Sequence, residues 1–232
     1  MRLGRDRAMS AEAASVSSRE EVLQRIRTAI GSPASDAAAI DAEWEAVPRN
    51  YKQTASHERE AILELLEDRL RDYDANIMRA KAGEVGREIA RVLAERGKRR
   101  VVVPAGLAEA LGEPLPVGFE FVVDQGFTPA ELDGFEGVVT ASTAAIAETG
   151  TIVLQNVPGQ GRRAPTLVPD YHLCVVRAAD VVETVPEAIA RLQTTAALAT
   201  TLISGPSATA DIEMTRIKGV HGPRFLDVIL VP

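Results

Sequence analysis

Among 232 residues there is one cysteine, Cys174. A lone thiol closes no intramolecular disulfide and cannot supply a four-cysteine zinc or iron–sulfur site. Any redox chemistry therefore needs an organic cofactor or a partner to carry the electrons. Aromatic residues are scarce, 4% of the chain, with Trp44 the only tryptophan. No apolar run approaches the roughly 18 residues that a membrane-spanning helix requires. Positive charge is also short: the net charge is −7, and the pairs Arg99-Arg100 and Arg162-Arg163 are isolated. Nucleic-acid binding needs a basic surface that displaces counterions, so nucleic acid is not the expected partner. Arg2, Arg5 and Arg7 resemble the start of a signal segment, but no apolar stretch follows, and Met9 is a second candidate start. A soluble, cytoplasmic protein is the expectation.

Several motifs are missing as well. The chain has no Gly-x-Gly-x-x-Gly, no Gly-Lys-Ser/Thr and no Gly-x-Ser-x-Gly, which removes a dinucleotide fingerprint, a P-loop and a nucleophile elbow. The three histidines, His57, His172 and His221, lack ligand-like spacing, so no metal site is expected.

What is present is an aliphatic chain, 46% hydrophobic, long enough to bury a core. Ser18 and Glu21 form a capping box ahead of Val22, Ile26 and Ile30, predicting a helix over 18–31. Pro33 and Pro48 bound a connector that holds Trp44, a candidate partner contact that is expected to pack back on its own domain. The predicted division is a helical arm with its linker over 1–48 and a main domain over 49–232. Apolar stripes predict helices over 56–73 and 83–96. From Arg100 the period changes. Short β-branched runs at 100–104, 119–124, 137–140, 151–154, 172–177, 201–204 and 225–231 read as strands, and Thr184 with Glu187 caps another helix. The fold class is α/β: an open, mostly parallel sheet with helices on both faces, plus the N-terminal arm.

Ligands of such sheets gather at the carboxyl ends of strands, and three polar segments attract notice. The first, 141–151, carries Glu148 with Thr149, Gly150 and Thr151; Glu148 suits a base, and the glycine suits close approach to a ligand, or else the segment is a tight turn. In the second, 204–213, Gly205, Ser207, Thr209 and Asp211 fit either an anion-holding helix N-terminus or a plain capped helix. The third, 219–224, holds His221 and Arg224, the latter a fork for a carboxylate, or else a structural turn. Cys174, inside a strand run, reads as an inert buried thiol.

Ala147-Glu-Thr-Gly-Thr-Ile-Val153, Ser204-Gly-Pro-Ser-Ala-Thr-Ala-Asp-Ile-Glu213 and Gly219-Val-His-Gly-Pro-Arg224, in that order before a final Val-Ile-Leu-Val strand, resemble the LUD-domain family in its lactate-utilization C type. The resemblance covers the C-terminal half; residues 1–100 align only by helical character. It implies a fold like that of the phosphosugar-isomerase and CoA-transferase superfamily and a role in oxidising L-lactate to pyruvate beside iron–sulfur partner proteins. It further implies no cofactor on this chain, since the cluster-binding cysteines belong to those partners. It transfers no catalytic residue. Glu148 and His221 are the catalytic candidates; Thr149, Gly150, Thr151, Gly205, Ser207, Thr209, Asp211 and Arg224 are candidates for holding a small carboxylate. Two other classes stand beside this expectation. One is a stand-alone CoA-transferase- or isomerase-like enzyme with Glu148 as nucleophile; the other is a non-catalytic metabolite-binding or assembly subunit.

Overall fold

The computed structural model describes residues 18–31, 37–209, 217–218 and 221–232. The chain divides into two compact units, Met1–Tyr51 and Lys52–Pro232. In the first, α1 (Ser18–Ile30) and α2 (Ala37–Ala46) contain no buried residue. The Arg49 guanidinium lies over the Trp44 ring, 5.0 Å from its centroid.

The second unit opens with α3 (Arg59–Asp72), β1 (Asn76–Arg79), α4 (Val85–Glu95), β2 (Arg100–Val103), α5 (Leu107–Leu111) and β3 (Glu120–Val123). It continues through α6 (Pro129–Leu132), β4 (Val138–Ala141), β5 (Ala144–Ile146), β6 (Thr151–Gln155), β7 (Tyr171–Arg177), β8 (Val181–Val182) and α7 (Val185–Leu192). The last elements are β9 (Thr200–Ile203), β10 (Ala208–Thr209), β11 (Ile217–Lys218) and β12 (Phe225–Val231).

Six strands form one sheet in the order β1-β12-β7-β4-β2-β3, every neighbouring pair parallel. Parallel strands are covered on both faces, which accounts for the unbroken Val/Ile/Leu runs. On one face α4 packs Val85, Ile89, Val92 and Leu93 against Val101, Val103, Leu173, Val175 and Ile229. On the other, α3 packs Ile62, Leu63, Leu66 and Leu70 against Cys174, Val176, Val228 and Leu230. The same cluster takes in Ala145, Ile152, Leu154 and Val181, so α3 shares its core with a second sheet. That sheet runs β8-β5-β6-β9, with β5–β6 and β6–β9 antiparallel and β5–β8 parallel.

The α/β class and the helices on both faces match the expectation from sequence, and the seven expected strands form. The second sheet is the addition: β6 and β9, read as members of one sheet, pair in another. The capping box at α7 forms as read, with Thr184 Oγ1 accepting from the Glu187 amide at 3.3 Å and Glu187 Oε2 accepting from the Thr184 amide at 2.9 Å. The helix N-terminus expected in the second polar segment is absent over Ser207–Thr209. Ala208 and Thr209 pair antiparallel with Lys218 and Ile217 instead, and the Ser207 amide donates to Pro223 O at 2.8 Å.

Candidate functional site

A cleft of about 230 Å³ opens between the two sheets. His172 and Leu226, at the amino ends of β7 and β12, form its floor; β9 contributes Thr201, Leu202 and Ile203, and Arg163 and Thr166 also line the cleft. The segments 204–208 and 221–223 close the remaining side. Two of the three polar segments thus converge, but at the amino ends of β7 and β12 and not at the carboxyl edge, because both lie before β12 in the chain. The His221 amide donates to Ser207 Oγ at 3.1 Å, which pins one segment to the other.

Among the described residues that line it, Arg163 carries a charge and none is Asp or Glu. Arg163 is exposed, and its guanidinium has no partner among the described residues. A guanidinium beside hydroxyls and imidazoles, with no competing carboxylate among the described residues, suits a small anion, and its planar fork matches a carboxylate best.

The floor differs from the rim. His172 is 1% exposed, its Nε2 lies 2.8 Å from Thr140 Oγ1, and burial lowers its pKa to about 4, so the ring is neutral. Thr140 Oγ1 also donates to Cys174 Sγ at 3.6 Å, and the thiol donates to Ala141 O at 3.8 Å. Burial pushes the Cys174 thiol up to about 12. It stays protonated and inert, as the sequence suggests.

The other predicted site residues have different surroundings. Glu148 lies outside the cleft, its Oε1 3.0 Å from Lys52 Nζ. Lys52 also pairs with Glu183, which is fully buried and accepts from the Ser56 amide at 2.7 Å and the His57 amide at 3.0 Å. His57 Nδ1 lies 2.7 Å from the same carboxylate, while its side chain stays exposed. Burial alone would raise the Glu183 pKa, but hydrogen bonds from Lys52, His57 and Ser56 hold it well below the usual carboxylate range.

Arg224 grips a carboxylate of the chain itself: Nε and Nη2 bond Asp170 at 2.6 and 2.7 Å. Gly150 and Gly205 are glycines for close approach, but to the protein. Both have positive φ, and a Cβ at Gly150 would lie 2.9 Å from Arg69 Cβ, one at Gly205 2.4 Å from Tyr73 Cβ. Thr149 and Thr151 join hydroxyl to hydroxyl at 2.8 Å, and Thr151 reaches Ser204 Oγ at 2.7 Å, tying the first segment to the start of the second. Thr209 lies in β10, and Asp211 falls outside the described residues.

Reading by motif missed Arg163 and His172. The Arg162-Arg163 pair was the available signal. Arg162 bonds Asp124 at 2.6 and 2.9 Å, and its neighbour is left for the cleft. Among the described residues no three or more His, Cys, Asp or Glu side chains group as metal ligands, and no helix is long and apolar enough to cross a membrane.

Comparison with known proteins agrees with this architecture. A family model described as the LUD domain matches residues 131–231. A lactate utilization protein C from Deinococcus radiodurans is 43% identical over 190 residues, 81% of this chain and 87% of the relative. One from Bacillus pumilus is 27% identical over 90% of this chain and 94% of its own length. A crystal structure of a DUF162 family protein from Deinococcus radiodurans superposes with a TM-score of 0.65 at 37% identity, covering 76% of this chain and all of that one, 100%.

Proposed function

The chain belongs to the LUD-domain family, and on that premise we propose that it is a component of L-lactate utilization, acting with iron–sulfur partner proteins in the oxidation of L-lactate to pyruvate. Its part is to hold the substrate: the carboxylate binds Arg163 in the cleft between the sheets. The observation that carries this reading is a cleft guanidinium with neither a partner nor an acidic neighbour in the lining among the described residues, in a chain whose relatives bear the name lactate utilization protein C.

Two electrons and two protons leave lactate as it becomes pyruvate. In this reading the iron–sulfur partner proteins would accept the two electrons and solvent the two protons, while this chain contributes position and charge. A small ligand aligned beside its acceptor gains from proximity alone. A stand-alone transferase with Glu148 as nucleophile is disfavoured, because that carboxylate is ion-paired with Lys52 outside the cleft.

The test is co-purification from cells that express the tagged chain with its genomic neighbours, followed by lactate-dependent dye reduction with and without it. Dye reduction falls when the chain is omitted, and Arg163→Gln raises the lactate concentration needed while assembly persists. Unchanged dye reduction without the chain would sink the proposal. Loss on omission combined with indifference to Arg163→Gln would point to assembly alone.

A further inference from the structure

His172 is the one buried polar group on the cleft floor that the proposed function leaves unused. The direction of its hydrogen bonds follows from what lies behind it. The protonated Cys174 thiol donates to Ala141 O at 3.8 Å. Thr140 donates to the sulfur at 3.6 Å. The Thr140 oxygen therefore has only lone pairs to offer His172 Nε2, 2.8 Å away, and Nε2 must hold the ring's proton. A neutral imidazole carries one donor and one acceptor. Nδ1 is then an acceptor, and it has no partner among the described residues.

We infer that the cleft selects 2-hydroxy over 2-oxo carboxylates, because His172 meets the ligand with an unprotonated Nδ1. This inference rests on the reading of the cleft as a carboxylate site. With the carboxylate on Arg163, a 2-hydroxyl can donate to Nδ1. A 2-oxo group brings a second acceptor against the first, leaving both unpaired. A site that binds lactate but releases pyruvate favours turnover in the oxidising direction.

The experiment titrates the full chain with L-lactate, pyruvate and propionate and records ¹⁵N imidazole spectra of His172. Lactate binds about tenfold more tightly than pyruvate, the worth of roughly one hydrogen bond, and the spectra show the Nε2–H form. Thr140→Val removes the group that fixes the proton: the lactate-to-pyruvate ratio falls toward one while propionate affinity holds, and Thr140→Ser restores the ratio. If Thr140→Val does not fold, the wild-type ratio and spectra decide alone. Pyruvate binding as well as lactate, or an Nδ1–H signal, would overturn the inference and leave the carboxylate site standing. If none of the three acids binds, or Arg163→Gln changes no affinity, the carboxylate reading itself falls and takes this inference with it.

Discussion

His172 is neutral because burial disfavours its charged form. Its pKa of about 4 lies below the 6.5 of an unperturbed imidazole. The unfolded chain therefore binds the extra proton first as pH falls, and stability that is complete above about 6.5 is lost toward 4. For this group alone the loss between about pH 7.5 and pH 5 is about 2 kcal/mol. Urea unfolding at the two pH values should show it, and His172→Leu should flatten that part of the slope. The two arginines separate by the same logic of partners. Arg163→Gln leaves the melting temperature unchanged and weakens carboxylate binding. Arg224→Gln removes the partner that holds Asp170 below the usual carboxylate range; thermal melts should register it, and binding should change less.

Among the elements, the loop after β9 depends on one glycine. Gly205 adopts a φ of +80°, and a Cβ there would sit 2.4 Å from Tyr73 Cβ, whereas Gly118, at +89°, has open space around it. Gly118→Ala carries only the backbone cost, about 1 kcal/mol, and Gly205→Ala adds a steric cost for a total of about 2–3 kcal/mol. Denaturant midpoints of the two variants make the comparison. The elements legible in the sequence are those with strong local signals: the Val-rich strands, the stripe of α3 and the capping box of α7. β5 was not legible, since Ala144 and Ala145 carry no strand preference and are extended because β6 and β8 flank them. The polar loops were legible as chemistry but not as geometry. Which arginine faces the cleft is settled by Asp170 and Asp124, residues 54 and 38 positions away in sequence from the arginines they bond, and spacing within a motif carries no record of such partners.

At the scale of the molecule, the apolar clusters among the described residues are built from Ile62 onward. A chain beginning at Lys52 carries all of that core, and it should melt cooperatively within about 4 °C of the full chain, as calorimetry can establish. The core is also shared: Leu66, fully buried, belongs to the α3 stripe that packs against both sheets. The cleft draws its floor from one of those sheets and a wall from the other, and α3 belongs to the shared core that sets their spacing. Leu66→Ala should cost about 3 kcal/mol and, with no contact to any ligand, loosen the discrimination between short carboxylates and longer ones, as competition binding with acids of increasing chain length can measure. The gauge of this site is thus a helix that never touches what the site holds.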